Sequence, residues 1–370
     1  MTSTASPHQE IRAKIKAYVE MTKPRIIELL LITTIPAMVV AERGWPGWNL
    51  VFLVLIGGTF SAGGANVINQ VYDADIDRIM ERTSGRPIPT NRVSQRAATV
   101  FGLLLGLAGF IVLAVGSTLL AGVLSLVAFG FYVLVYTMLL KRSTTQNIVI
   151  GGAAGAVPAL IGWAAVTGDL GVAPWIMFAI ILYWTPPHFW ALSIKYEEDY
   201  RRAGIPMLSV IAGDEVTFRE IVWYSVVTVG VSLMLIPVSH LGWVYVAAAG
   251  VLGVWLLVAS LGLRADRTKA MRFFGFSNLY LAGVFLAMMV DRLIDTPFVG
   301  GATFWMVLAT TFVGIGGIAV IASEIASHAR GPRVSRFRQL SEVGITALFA
   351  FGLTWAAWLS VAHHLTSINV

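Results

Sequence analysis

Long apolar runs separated by short polar segments repeat along nearly the whole chain. Each run has about the length that a helix needs to cross some 30 Å of hydrocarbon. Since backbone polar groups find no water inside a bilayer, every such run predicts a helix. We therefore expect an all-α fold, a polytopic transmembrane helix bundle. Its eleven predicted spans are 26–41, 49–71, 97–116, 118–140, 147–167, 173–195, 218–240, 242–264, 273–290, 304–323 and 343–364.

The basic residues alternate between the connecting segments. All but two of the 26 Lys and Arg residues lie before the first span or in every second loop after it, and the exceptions are Arg43 and Arg292. Short loops rich in Lys and Arg stay on the cytoplasmic side of a membrane. The pattern predicts a multi-pass protein of the cell membrane with a cytoplasmic N-terminus and an exterior C-terminus. The long polar loops share the basic side, so we expect an active site there.

Composition narrows the class further. The chain is 57% hydrophobic and 12% charged, with a mean hydropathy of +0.76, which excludes an ordinary soluble domain. A net charge of +6 then reflects topology, and we expect a lipid bilayer and no nucleic acid as partner. The absence of Cys excludes disulfides and thiolate metal sites. Glycines in the second and fifth spans, among them Gly58 and Gly155, predict close helix packing.

The segment that follows the second span carries the most specific pattern. Asn69, Asp73 and Asp77 recur every four residues, so on a helix they form one stripe, and Asn66 lies beside it. Oxygen ligands of this kind suit Mg²⁺, which keeps sites for substrate phosphates. Arg82 and Arg86 follow at once and supply forked donors for phosphate oxygens. Acids beside Arg at one membrane edge predict a metal-bridged diphosphate site.

These residues resemble a known family. The run from Asn69 through Asp77 to Arg86 and Pro87 is similar to the first aspartate motif of intramembrane aromatic prenyltransferases of the UbiA type. Three further stretches resemble the heme branch of that superfamily, and the likeness covers roughly residues 15–295. They read MTKPRI (21–26), YTMLLKRSTTQNIVIGGAAGAVPALIGWAAVTGDL (136–170) and WTPPHFWALSIKYEEDYRRAGIPMLSV (184–210).

The resemblance implies a nine-span bundle, farnesyl diphosphate held through Mg²⁺, and transfer of farnesyl to a vinyl group of protoheme IX. Heme B is then a substrate and not a resident cofactor. The motif match gives Asn69, Asp73 and Asp77 metal and diphosphate roles and makes Arg82 and Arg86 substrate contacts. The second motif of the superfamily has two acids four residues apart, but Lys195 replaces the first acid here and Asp199 keeps the second.

Further residues are predicted around the same reaction. Lys141, Arg142 and Lys195 lie on the correct side to neutralise a leaving diphosphate, although Lys141 and Arg142 are equally well explained as membrane anchors. Glu198 or Asp199 would position water or bind metal, and the motif favours Asp199. His188 follows two prolines that we expect to interrupt the sixth span and line a cavity, where it would contact or ligate heme.

The predicted organisation has three parts: a tail (1–25), a prenyltransferase domain (26–295) and an extension with two further spans (296–370). Three other functions stay open. A transporter would explain many spans, but its charges belong at mid-bilayer. A prenyltransferase for an aromatic quinone precursor would share the diphosphate site. A non-catalytic assembly factor for a terminal oxidase would use the extension for docking, and oxidase assembly proteins or heme A synthase are the expected protein partners.

Overall fold

The computed structural model describes residues 7–298 and 300–328, together with positions 352, 355, 356, 358, 359 and 362. Within this part of the chain the regular structure is helical, which confirms the all-α membrane bundle. The helices are α1 (Pro7–Met21), α2 (Pro24–Glu42), α3 (Trp48–Tyr72), α4 (Ala74–Ile79), α5 (Gln95–Gly116), α6 (Leu119–Gly130), α7 (Asn147–Thr167), α8 (Val172–Lys195), α9 (Glu197–Arg202), α10 (Leu208–Ser239), α11 (Trp243–Ala265), α12 (Ala270–Ile294) and α13 (Ala302–His328).

Two short elements complete this inventory and matter for the site. A π-helix (Phe131–Leu140) continues α6, and its hydrogen bonds reach five residues back, as from Lys141 N to Tyr136 O at 2.9 Å. A 3-10 turn (Arg267–Lys269) precedes α12. Helix α10 bends at Gly213, whose φ of 78° and ψ of 176° lie outside the helical region. With the residues before this bend included, α10 begins at Leu208, ten residues before the predicted span at 218.

Eight helices of the described part are long and apolar enough to cross a membrane. They coincide with predicted spans two to five and seven to ten. Helices α2 and α8 occupy the first and sixth predicted spans but are not among these eight. The eleventh predicted span, 343–364, falls almost wholly outside the described residues, as do the basic residues at 330–338.

Small residues bring α3 and α5 into close contact. A Cβ on Gly64 would lie 2.5 Å from the carbonyl oxygen of Gly102, and one on Gly109 would lie 2.6 Å from Ser61 N. Helix α13 packs just as tightly on α10, since a Cβ on Gly230 would lie 2.7 Å from Phe312 Cβ. The first of the two predicted C-terminal spans is thus packed into the bundle.

The loops after α3, after the π-helix, after α8 and after α11 meet at one end of the bundle, together with the α1–α2 junction. We call this the basic end. Contacts between these loops hold it together: Arg142 pairs with Asp75, Arg202 with Glu81, and Arg267 with Asp214. The alternation of charge in the sequence is therefore matched by the arrangement of the helices.

Candidate active site

The predicted stripe survives a break in the helix that carries it. Helix α3 ends at Tyr72 and α4 begins at Ala74, yet Asp73 N bonds Asn69 O at 2.9 Å and Asp77 N bonds Asp73 O at 2.8 Å. The four-residue repeat is thus kept across the junction. All three side chains are buried, with Asp73 at 0% and Asp77 at 2% exposure. Two buried carboxylates at the end of a membrane helix are costly unless they are paired.

Cations from two segments pair with these acids. Lys141 Nζ contacts Asp73 Oδ2, and Arg142 Nη2 lies 3.6 Å from Asp73 Oδ1. Arg86 Nη1 donates to both carboxylate oxygens of Asp77, at 2.9 and 2.7 Å. Lys141 therefore has a buried carboxylate as its partner, since the Asp73 side chain is 0% exposed.

Arg142 lies at the margin of this cluster. Its two terminal nitrogens bond the exposed Asp75 at 2.7 Å, and Nη2 also donates to Tyr72 O at 3.0 Å. The Arg142 guanidinium lowers the pKa of Asp75 below its usual range by hydrogen bonding. These hydrogen bonds hold Arg142 at the end of α3, and they explain its position without a role in the reaction.

Lys23 joins the cluster although sequence analysis counted it only as a topological charge. Its Nζ donates to Asn69 Oδ1 at 2.8 Å, and its backbone has the left-handed φ of 55°. Burial lowers the pKa of Lys23 well below its usual value, and the nearby Arg86 and Lys141 charges lower it further. The sequence contained one indication, since Lys23 lies inside the MTKPRI stretch.

Three amides of α3 hold Lys23 in place. Asn66 Nδ2 donates to Thr22 O at 3.0 Å, and Gln70 Nε2 donates to Met21 O at 2.7 Å. Asn69 Nδ2 bonds Asp73 Oδ2 at 2.8 Å and Thr137 Oγ1, on the π-helix, at 3.2 Å. Asn66 and Asn69 therefore connect the α1–α2 junction, α3 and the π-helix around the two carboxylates.

Asp199, the acid of the second motif, also lies at the basic end, on α9. Asp199 Oδ1 accepts from Arg202 at 2.6 Å, and Asp199 also accepts from the backbone N–H groups of Glu81 and Arg82, each at 3.4 Å. Burial opposes ionisation, but these bonds outweigh it and lower the pKa of Asp199. The buried Asp199 thus ties α9 to the loop that carries Arg82 and Arg86.

The neighbours of Asp199 face outward. Glu198 is exposed and pairs with Arg201 at 3.6 Å, and Lys195 is also exposed. Arg82 is exposed too, with its guanidinium carbon 5.6 Å from the centroid of the Tyr196 ring. The structure does not bring Lys195 or Glu198 to the buried carboxylates. Glu197, which the sequence did not single out, links α9 to Arg267 Nη2 at 2.5 Å.

The metal prediction can be compared with the donors present. Within the described residues, three or more His, Cys, Asp or Glu side chains do not gather into one metal-binding group. Asp73 Oδ1 is buried and lacks a hydrogen-bond partner, and Asp77 supplies a second carboxylate one helical turn away. Mg²⁺ commonly takes one or two protein carboxylates and completes its shell with water and phosphate oxygens. The donor set fits such an ion and would be too small for a site built from protein ligands alone.

An apolar cavity starts beside the stripe and runs into the bundle. Asn66 and Tyr132 line its end near the carboxylates, and the hydroxyl of Tyr132 lies 3.5 Å from Asn66 Oδ1. The remaining lining is apolar or small and comes from α2, α3, α6 and α7. These residues are Ile27, Thr34, Val54, Gly58, Ser61, Ala62, Ala65, Ala128, Phe129, Ala154, Gly155, Pro158 and Ile161.

The expectation that two prolines interrupt the sixth span before His188 is wrong. Helix α8 runs unbroken from Val172 to Lys195 through Pro186 and Pro187, so the prolines do not interrupt it. His188 is absent from the lining of the cavity just described. Its ring stacks between Trp184 and Phe274, with centroids 4.3 and 4.2 Å away, and its Nδ1 lies 2.8 Å from Ser277 Oγ.

The comparisons with known proteins agree with this arrangement. A model described as the UbiA prenyltransferase family matches residues 30–287. A protoheme IX farnesyltransferase from Gloeobacter violaceus is 50% identical over 76% of this chain and 94% of its own length. One from Streptomyces coelicolor is 49% identical over 78% of this chain and 95% of its own length.

Solved structures show the same fold. A structure from work on digeranylgeranylglyceryl phosphate synthase aligns with a TM-score of 0.64 at 19% identity, over 76% of this chain and 99% of that chain. A UbiA homologue from Aeropyrum pernix K1 aligns with a TM-score of 0.60 at 19% identity, over 72% of this chain and 99% of that chain.

Proposed function

We propose, since this chain belongs to the UbiA prenyltransferase family, that it transfers the farnesyl group of farnesyl diphosphate to a vinyl group of protoheme IX. One observation carries the reaction type: buried acids and cations at the basic end lie beside the Asn66 end of an apolar cavity, which we call the mouth. The identity of about 50% to protoheme IX farnesyltransferases over most of the chain supports farnesyl as donor and heme as acceptor. The same likeness disfavours a transporter.

The diphosphate would bind where the cations converge. Asp73 and Asp77 would hold Mg²⁺, which neutralises charge on the leaving diphosphate when bound. Lys23, Arg86 and Lys141 already lie around these two carboxylates and can turn to phosphate oxygens. Fixed positive charge stabilises the diphosphate as the bond between C1 and oxygen breaks. That bond's electron pair leaves with the diphosphate, and C1 becomes an allylic cation.

The cavity would hold the isoprenoid chain and keep water from the cation. Apolar walls strengthen the electrostatic contacts at the mouth and leave the heme vinyl as the available electron source. The vinyl carbon bonds C1, and water then adds a hydroxyl to the neighbouring carbon and releases a proton. Asp199 is proposed to have an indirect role: it positions the 80–82 loop, which it holds by two hydrogen bonds from backbone N–H groups.

His188 is the proposed contact for heme. Its Nδ1 is engaged by Ser277 and its ring is fixed between two aromatic rings, so the direction of Nε2 is set. Metal-binding histidines commonly have the other nitrogen held in this way. We expect His188→Ala to shift the Soret band of protein-bound heme while Ser277→Ala shifts it less. An identical Soret band in His188→Ala would remove this assignment.

The basic end is proposed to face the cytoplasm, in line with the distribution of Lys and Arg. The chain has no Cys, so single cysteines can report orientation. In intact cells a membrane-impermeant maleimide should label Asp295→Cys, at a 92% exposed side chain, and spare Ser84→Cys at the basic end. The opposite labelling would reverse the orientation.

The activity can be tested directly. Purified protein is incubated with heme B, farnesyl diphosphate and Mg²⁺, and the heme products are identified by mass. We expect a hydroxyethylfarnesyl heme from the parent and none without farnesyl diphosphate. Replacing heme with 4-hydroxybenzoate in a parallel reaction tests the aromatic-acceptor alternative. Prenylated hydroxybenzoate together with unchanged heme would overturn the proposed acceptor.

A further inference from the structure

Two glycines that the sequence assigned to helix packing have no packing partner. A Cβ on Gly58 or on Gly155 would find no atom within 4 Å, whereas a Cβ on the adjacent Gly57 would lie 2.6 Å from Leu113 Cγ. Gly58 and Gly155 both line the apolar cavity, on α3 and α7 respectively. The packing interpretation is therefore wrong for these two positions, where the absent side chain leaves space inside the cavity.

The depth of Gly58 can be measured along α3. Gly58 precedes Asn66, at the mouth, by eight residues, which at 1.5 Å per residue places it about 12 Å deeper. Val54 lies about 6 Å deeper again, so the lined length is about 18 Å. The small side chains Ser61, Ala62 and Ala65 keep the α3 wall open between these levels.

An extended isoprenoid can be compared with this depth. Each isoprene unit contributes four bonds along the chain, and at the ~1.2 Å per bond of an extended backbone it advances about 5 Å. A farnesyl chain therefore extends about 15 Å and a geranyl chain about 10 Å. With C1 placed level with Asn66, below a diphosphate at Asp73 and Asp77, the third isoprene unit of farnesyl spans about 10–15 Å of depth and so lies level with Gly58, while a geranyl chain ends above it.

We infer that Gly58, with Gly155 on the facing helix, sets the length of isoprenoid that the site accepts. The inference rests on the proposed function, because it takes the cavity as the place of the donor chain. A leucine at position 58 fills the space that the third isoprene unit occupies. The site should then prefer the ten-carbon donor, since the displaced apolar carbons lose their burial.

A competition assay tests this inference. Parent, Gly58→Leu and Gly155→Leu proteins receive heme, Mg²⁺ and equimolar geranyl, farnesyl and geranylgeranyl diphosphates, and product masses give the ratios. We expect the parent to favour farnesyl and Gly58→Leu to lower the farnesyl-to-geranyl ratio at least about tenfold. Gly250→Leu is the matched control, because that glycine lies exposed on α11 with no atom within 4 Å of an added Cβ. Its ratio should equal that of the parent.

The outcomes separate the two levels of the argument. An active parent with an unchanged ratio in both Gly58→Leu and Gly155→Leu overturns the length inference and leaves the proposed function standing. A parent that prenylates heme with none of the three donors overturns both. If Gly58→Leu loses all activity, Gly58→Ala decides: a ratio lowered toward geranyl supports the inference, and the parent ratio overturns it.

Discussion

The buried pair of Asp73 and Lys141 offers the sharpest test of whether the cluster exists for chemistry or for stability. Asp73 is 0% exposed and Lys141 has 15% of its side chain exposed. Removing one member of such a pair typically costs about 3–5 kcal/mol, because the other charge is left buried without a partner. Asp73 would keep the amide of Asn69 at 2.8 Å and Arg142 at 3.6 Å. We therefore expect Lys141→Met to lose about 3 kcal/mol, the lower end of that range.

The double variant Asp73→Asn/Lys141→Met separates the two roles. It removes both charges from the buried site, so we expect its free energy of unfolding to return to within about 1 kcal/mol of the parent. Activity should not return with it. Losing electrostatic stabilisation at a reacting group costs on the order of 100-fold in rate, or about 3 kcal/mol. A stable and inactive double variant would show that the Asp73–Lys141 pair serves the reaction and not only stability.

The assay is unfolding by a denaturing detergent in mixed micelles, combined with kcat/KM for farnesyl diphosphate. Asp75 provides the matched control, because it is 61% exposed in its pair with Arg142. Asp75→Asn should cost less than about 1 kcal/mol. Either of two results would refute the reasoning: Lys141→Met as stable as the parent, or parent-like activity in the double variant.

Three further predictions follow from the site. The KM for farnesyl diphosphate should rise as pH rises above the lowered pKa of Lys23, because a neutral amine must gain a proton to bind the anion. In Lys23→Met, this rise of KM with pH should be absent. Because the pKa of Asp199 is lowered, its hydrogen bonds to the 80–82 loop are present above the ordinary pKa of 3.8 and are lost only as pH falls through the lower folded value. Hydrogen exchange of the Glu81 and Arg82 amides, corrected for intrinsic rates, should therefore be the same at pH 5 and pH 7. Faster corrected exchange at pH 5 would contradict this. Glu198→Gln should change kcat/KM by less than about twofold, because that side chain is 72% exposed, and a loss of tenfold would place Glu198 in the site after all.

The parts of the fold that follow from local pattern were predictable from the sequence. Apolar runs long enough for the bilayer determine where helices form, and their hydrogen bonds are internal to each run. The stripe of Asn69, Asp73 and Asp77 was predictable for the same reason, because i to i−4 bonding continues across the break at Asp73. Alternation of basic residues located the polar end, since it depends on loop order alone.

Contacts between distant segments were not predictable in this way. Lys23 reaches Asn69 only because amides of α3 bind the turn at residues 21–23, a pairing that no periodicity within α1 or α2 encodes. The roles of Gly57 and Gly58 look alike in sequence, yet neighbours on a helix point about 100° apart, so one faces α5 and the other the cavity. The effect of Pro186 and Pro187 on α8 was likewise not predictable from local sequence. Proline interrupts helices in general, but buried packing keeps α8 continuous through both.

The most direct test of the account is a structure of the protein with Mg²⁺ and an unreactive farnesyl thiodiphosphate. We expect the diphosphate between the Asp73 and Asp77 carboxylates and the amines of Lys23 and Lys141, with the isoprenoid extended past Asn66 and Tyr132 to the level of Gly58. A diphosphate bound at the end of the bundle opposite these residues, or a farnesyl chain outside this cavity, would contradict it.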